Sequence, residues 1–146
     1  MGVYHKKWMK PVAKVHQSLG SENVMVVHSE DNLDEISIAS KTKVVELRED
    51  KISEYVISPE EFGIELQPLD QLKVNSPEES LSMVKKALNG ELTAASSMVA
   101  LNAGAALYVA GVEDSLAQGI ERAKEGIDKK LGLSKLHELS EYTKSL

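Results

Sequence analysis

Residues 28 to 35 read His28-Ser29-Glu30-Asp31-Asn32-Leu33-Asp34-Glu35, with four carboxylates inside six positions. Adjacent acids such as Asp34 and Glu35 repel one another unless water, a cation or a donor stands between them. Hard oxygen ligands of this kind suit Mg²⁺, which takes one or two carboxylates and keeps waters and substrate phosphates. An EF-hand is excluded, because the sixth position counted from Asp31 is Ile36 and not the glycine that its turn requires. A solvated acidic turn is the plain alternative, and the residue types alone leave both readings open. His28 has the chemistry of a base, and equally that of a hydrogen-bonded structural histidine. Other chemistries lack support. No histidine pair stands at HExxH spacing, and there is no Walker loop or GxGxxG string, since Gly104 and Gly111 fall inside or just after a helical pattern. Tyr108 and Met98 read as core residues of that same helix.

The elements that must position this segment can be read from periodicity. A helix ending near Leu19 carries Val12, Val15 and Leu19 on one face, with Pro11 starting or kinking it and Gly20 as its stop. Val24 to Val27 is a continuous apolar run without alternation, which predicts a strand covered on both faces, as in a parallel sheet. Helix, glycine turn and buried strand make half of a parallel crossover, and the acidic segment lies at the carboxyl end of that strand, where open α/β sheets bind ligands. Ile36 and Ile38 alternate with serines and predict another strand. Lys43 to Leu47 and Lys51 to Ile57 predict two more, joined as a hairpin through Arg48-Glu49-Asp50. An irregular stretch with Pro68 follows, from Gly63 to Asn75. Helices come next: one with Leu81, Val84 and Leu88 on a face and Gly90 behind it, an uncharged one to about Ala110, one with Leu116, Ile120, Ala123 and Ile127, and a last with Leu136 and Leu139. The string Ser-Pro-Glu-Glu occurs at Ser58 to Glu61 and at Ser76 to Glu79. Both copies have the chemistry of a helix start, with a capping serine, a proline at the first turn and a glutamate to complete a capping box. The predicted fold is α/β: part of a mostly parallel sheet with an antiparallel hairpin, flanked by C-terminal helices.

Composition narrows the function classes. The 146 residues suit one domain, and the absence of cysteine rules out disulfides, thiolate nucleophiles and cysteine-ligated zinc. A formal charge of −6 repels phosphate backbones, and six aromatics are too few for a base-stacking platform, so no nucleic-acid partner is expected. Met1 to Lys10 has lysines but no apolar stretch behind them and does not read as a signal peptide. Leu92 to Val112 is uncharged and long enough to span a bilayer, but its weight is Ala, Ser and Gly, with Asn102 in the middle. It predicts a buried helix whose small side chains admit a close neighbour, no membrane association, and a cytoplasmic protein.

Several strings match one family in order. VMVVHSEDNLDE (Val24 to Glu35), the EIS that overlaps its end, KTKVVEL (Lys41 to Leu47), SPEEFG, LNAGAALYVAG (Leu101 to Gly111) and DSLAQGIERAKEGID, with Gly2-Val3-Tyr4 ahead of them, resemble anthranilate phosphoribosyltransferase of tryptophan biosynthesis. The resemblance covers nearly the whole chain but only the second half of the family. It implies that residues 1–146 are a C-terminal portion of the phosphoribosyltransferase α/β domain. The family's N-terminal helical domain, its Gly-Thr-Gly-Gly loop and its anthranilate-holding residues are not among these residues. It implies that Asp34 and Glu35 help to hold Mg²⁺ on the diphosphate, while Glu30 and Asp31 sit on a solvated turn. No catalytic residue is expected in this portion. In the complete enzyme the implied partners are phosphoribosyl diphosphate and anthranilate. The chain itself is expected to pair with the missing N-terminal half or with itself, and to be inactive alone. A non-catalytic binding or assembly module of the same fold, or the relic of a truncated gene, is the alternative, and a nucleoside-phosphorylase-like relative with another acceptor is a third reading. Two departures stand out: Asn32 occupies a position where the family commonly has glycine, and Ile127 to Leu136 departs from its glycine placement.

Overall fold

A computed structural model describes residues 1–145. After a short 3₁₀ turn at Lys6–Trp8 come helix α1 (Met9–Ser18) and strands β1 (Asn23–Ser29), β2 (Thr42–Arg48) and β3 (Lys51–Ile57). Two 3₁₀ turns, Pro59–Phe62 and Leu69–Leu72, lead to α2 (Pro77–Leu88), α3 (Ala94–Val109), α4 (Leu116–Asp128) and α5 (Leu131–Lys144).

The α/β class, the hairpin and the following helices are as expected, but the sheet direction is not. Its order is β1-β2-β3, and both pairings are antiparallel. Among the described residues parallel pairing is confined to one bridge, Gly2 to Val27, on the outer edge of β1. That bridge is nevertheless the other half of the expected crossover: Met1–Val3 lies along β1, and α1 connects the two. The strand predicted around Ile36 and Ile38 does not form. Ile36, Ser37 and Ile38 are all buried, so there is no alternation; side chains take up the Ile36 amide and carbonyl and the Ser37 amide, and the Ile38 carbonyl accepts from the Gln67 amide at 3.0 Å.

β1 is covered on both faces, as its unbroken apolar run requires. Val26 and Val45 pack with Met9 and Ala13 on the α1 side. Met25, Val27, Val44 and Ile57 pack with Ile36, Ile38, Leu101, Ala105 and Ile120 on the α3 side. The face of α1 is chosen by small Ala13 and flexible Met9, which approach the sheet closely; Val15 and Leu19, expected on the buried face, are exposed. In α2 likewise Ala87 is buried while Leu81 and Val84 are exposed. The face expected of α4 is right, with Ile120 and Ala123 buried.

Helix α3 is uncharged all round, and its small residues admit a close neighbour as expected. A Cβ on Gly104 would lie 2.5 Å from Ile120 Cα, and one on Gly119 would lie 2.3 Å from the Gly104 carbonyl oxygen. The two backbones touch there, which fixes α3 against α4. Among the described residues no helix is long and apolar enough to cross a membrane. Both Ser-Pro-Glu-Glu strings act as caps, in different ways. Ser58 and Glu61 form a full capping box on a single 3₁₀ turn, whereas Glu79 reaches past Ser76 to the Asn75 amide at 2.8 Å. The hairpin turn is Glu49-Asp50, with φ of 50° and 59°. Positive φ at both central residues is the geometry of the two-residue hairpin turn that matches strand twist, here made without glycine or asparagine.

Candidate metal site at the mouth of strand β1

The acidic segment forms the loop from Glu30 to Lys41 between β1 and β2, at the carboxyl end of β1. Its first turn is built on Ser29 and Asp31. The Ser29 amide donates to the Leu33 carbonyl at 3.1 Å, and the Leu33 amide donates to Ser29 Oγ at 2.9 Å. Asn32, at the tip, has φ 68°. Asparagine tolerates this left-handed conformation, so the turn forms without glycine.

Asp31 is not the solvated acid that was expected. It is half-buried, and the hydroxyls of fully buried Ser29 and Ser37 donate to its two carboxylate oxygens. Burial works against its charged form, but the hydroxyls of Ser29, Ser37 and Ser40 and the Leu33 amide outweigh it and hold the carboxyl below its usual range. Asp31 is therefore a structural anchor. Ser37 extends the anchor: its Oγ accepts from the Ala39 amide at 2.9 Å, and its own amide donates to Thr42 Oγ1 at 3.2 Å. The sequence signal was present as a Ser-x-Asp followed by Ser37 and Ser40, but serines of this kind occur in any polar loop.

Asp34 and Glu35 lie beyond that anchor, side by side and exposed. Among the described residues no hydrogen bond, ion pair or cluster of three metal-ligating side chains engages their carboxylates. Their backbone, in contrast, is closely held. Gly2 packs against Asp34 so tightly that a Cβ there would lie 1.4 Å from the Asp34 carbonyl oxygen. The next residue, Ile36, is bonded at both its amide and its carbonyl by the side chain of Asn102 on α3. Neither Gly2 nor Asn102 was singled out for this role by its place in the sequence. His28 proves to be structural: it is buried, and its Nδ1 lies 2.9 Å from the Val3 carbonyl, which can only accept. Tyr108 and Met98 pack on the core as expected, and Arg48 lies over the Tyr108 ring at 5.0 Å.

Exposed carboxylates on a held backbone are the donor type that a hard cation takes. They can supply part of an octahedral set and leave the other positions to water and to the oxygens of a phosphate ligand.

Comparison with known proteins matches this architecture to one group. A model for the a/b domain of a glycosyl transferase family matches residues 1–130. Among curated relatives, anthranilate phosphoribosyltransferase of Marinomonas sp. (strain MWYL1) is 51% identical over 99% of this chain and 42% of its own length. The one from Chromohalobacter salexigens is 51% identical over 100% of this chain and 42% of its own length. The chain thus spans about two fifths of the length of these relatives. Among solved structures, anthranilate phosphoribosyltransferase from Thermus thermophilus superposes with a TM-score of 0.80 at 35% identity, over 88% of this chain and 38% of that one. The Saccharomyces cerevisiae enzyme in complex with PRPP and Mg shares the fold at a TM-score of 0.86 and 24% identity, over 99% of this chain and 42% of that one. The chain belongs to the glycosyl transferase family of this a/b domain, and corresponds to a C-terminal portion of its anthranilate phosphoribosyltransferases.

Proposed function

We propose that this chain supplies the metal-holding part of an anthranilate phosphoribosyltransferase, with Asp34 and Glu35 as the ligands of Mg²⁺ on the diphosphate of phosphoribosyl diphosphate. The observation that carries the reading is that these two consecutive acids are exposed, with no hydrogen bond or ion pair on their carboxylates among the described residues, while the backbone beneath them is held from three sides. The donor set fits the ion, since two carboxylates with open positions suit Mg²⁺ shared with a polyphosphate rather than an all-protein cage. When bound, the ion neutralises charge that builds on the departing diphosphate. What the chain's own residues do is orient: Asp31 and the serines around it hold the loop at the strand mouth, and Asp34 and Glu35 are exposed beyond it.

The remaining parts of the reaction would come from residues outside these 146. The sequence has no Gly-Thr-Gly-Gly string to cradle phosphates, and nothing in the described loop could orient an aromatic amine. On this reading residues 1–146 are a C-terminal portion of the phosphoribosyltransferase domain. Their partner is a family N-terminal half or a second copy, and the compartment is the cytoplasm of a biosynthetic enzyme. Exposed Val15, Leu19, Leu81, Val84 and the nearly fully exposed Leu92 support association, and so also support the second reading, a non-catalytic assembly module of the same fold. The two are separated by supplying the N-terminal portion of a family member in trans with Mg²⁺, phosphoribosyl diphosphate and anthranilate. Loss of anthranilate fluorescence that disappears in an Asp34→Ala, Glu35→Ala variant supports the catalytic reading. Association without turnover leaves the assembly module.

A further inference from the structure

We propose that Asn102 is the positioning residue of the metal loop: its side-chain amide clamps the Ile36 peptide and thereby sets the direction in which Asp34 and Glu35 present their carboxylates. The inference rests on the metal reading of that pair. Asn102 stands in the middle of α3, an uncharged helix whose two serines lie in its first turn, and an amide at that mid-helix position needs a reason to be half-buried. Its Oδ1 accepts from the Ile36 amide at 2.9 Å, and its Nδ2 donates to the Ile36 carbonyl at 2.9 Å. Nδ2 also donates to the Met98 carbonyl one turn back in α3, at 3.0 Å, which orients the amide plane. One side chain thus does for Ile36 what a neighbouring strand would do, satisfying donor and acceptor together.

The place of the clamp is what ties it to the site. At the other end of the pair, Leu33 is held at its amide by Ser29 Oγ and at its carbonyl by the Ser29 amide. Only Asp34 and Glu35 lie between these two held residues, and Gly2 closes on the Asp34 carbonyl. The clamp has a rigid base, because Gly104, two residues along α3, is in backbone contact with α4. A ligand pair spanned between held ends meets its ion with little reorganisation, which is how groups behind metal ligands tune affinity.

The test uses the ¹⁵N-labelled chain, with Mn²⁺ plus inorganic diphosphate as the probe. In the wild type, broadening centres on Asp34 and Glu35, and the Ile36 amide exchanges as slowly as the amides of α3. In Asn102→Ala the Ile36 amide loses that protection, residues 34 and 35 gain fast backbone motion, and affinity for the probe falls about tenfold or more, the usual cost of losing a group behind a metal ligand. Ala100→Gly, which weakens the same helix without touching the loop, leaves the affinity unchanged. Unchanged affinity and unchanged Ile36 exchange in Asn102→Ala would overturn the proposal. So would rapid Ile36 exchange in the wild type, a measurement that stands even if the variant does not fold. If the wild type shows no broadening at Asp34 and Glu35, the metal reading itself fails. The positioning claim is then decided by Ile36 exchange and by the mobility of residues 34 and 35 alone.

Discussion

Replacing Asp31 by alanine should destabilise the chain far more than removing an acid from an exposed turn. The carboxylate is the acceptor for two buried hydroxyls, Ser29 and Ser37. A hydrogen bond to a charged group contributes about 1.5–3 kcal/mol, and a buried donor left without a partner costs about 1–3 kcal/mol. Ser29 can turn to the Leu33 carbonyl at 3.1 Å, but Ser37 Oγ, which already accepts from the Ala39 amide, has no such second acceptor. Asp31 is only half-buried, so water recovers part of the loss, and the expected cost is about 2–3 kcal/mol. Urea denaturation at neutral pH should show this as a lower midpoint at unchanged slope. The pH dependence supplies a second arm. The folded carboxyl titrates below its unfolded value of about 3.9, so its contribution is full above that pH. It is lost as pH falls through the folded value, and the gap between wild type and Asp31→Ala should therefore narrow below about pH 4. A change within about 0.5 kcal/mol, the range of ordinary surface substitutions, would refute the anchor and restore the solvated turn. So would a gap that stays constant from neutral pH down to pH values well below the unfolded pKa.

Gly104→Ala should cost about 1–3 kcal/mol or more, because its Cβ would fall 2.5 Å from Ile120 Cα and force α3 from α4; thermal unfolding measures it. Replacing Glu49-Asp50 by Asn-Gly should stabilise the hairpin by about 1 kcal/mol, since both positions have positive φ, and a higher urea midpoint would show it. The purified chain should give no phosphoribosyl transfer to anthranilate with Mg²⁺; turnover that vanishes in the Asp34→Ala, Glu35→Ala variant would contradict this. Its exposed apolar residues should produce dimers or larger species in a sedimentation concentration series, and a strict monomer at high concentration would count against that.

Local chemistry made much of this fold legible. The unbroken run at Val24 to Val27 required a strand covered on both faces, and Val26 and Met25 do point into separate cores. Ser58 and Ser76 cap because serine, proline and glutamate meet their partners within four residues. Helix faces were less legible, because periodicity favoured large apolar residues while packing chose small ones. Ala13 and Ala87 are the buried positions, and Val15 and Leu81 remain outside. For the site, the two adjacent acids could be named from the sequence, but nothing local distinguished free Asp34 and Glu35 from bound Asp31.

By itself the sequence determined the helices and the three strands that do form, their order, the hairpin, the close approach along α3 and the acidic segment at the end of a buried strand. These follow from spacing, capping and side-chain size, which act over one or two turns of chain. Only the tertiary structure decided that the strands pair antiparallel, that Ile36 to Ile38 form a buried loop, and that Asp31 anchors while Asp34 and Glu35 stay free. The buried loop and the held backbone of Asp34 depend on partners that sequence distance conceals: Gly2 closing on Asp34, and Asn102 reaching Ile36 across 66 residues. A backbone amide will bond to whichever acceptor the packed core brings to it, and in this loop the core brought a side chain from a distant helix instead of a strand.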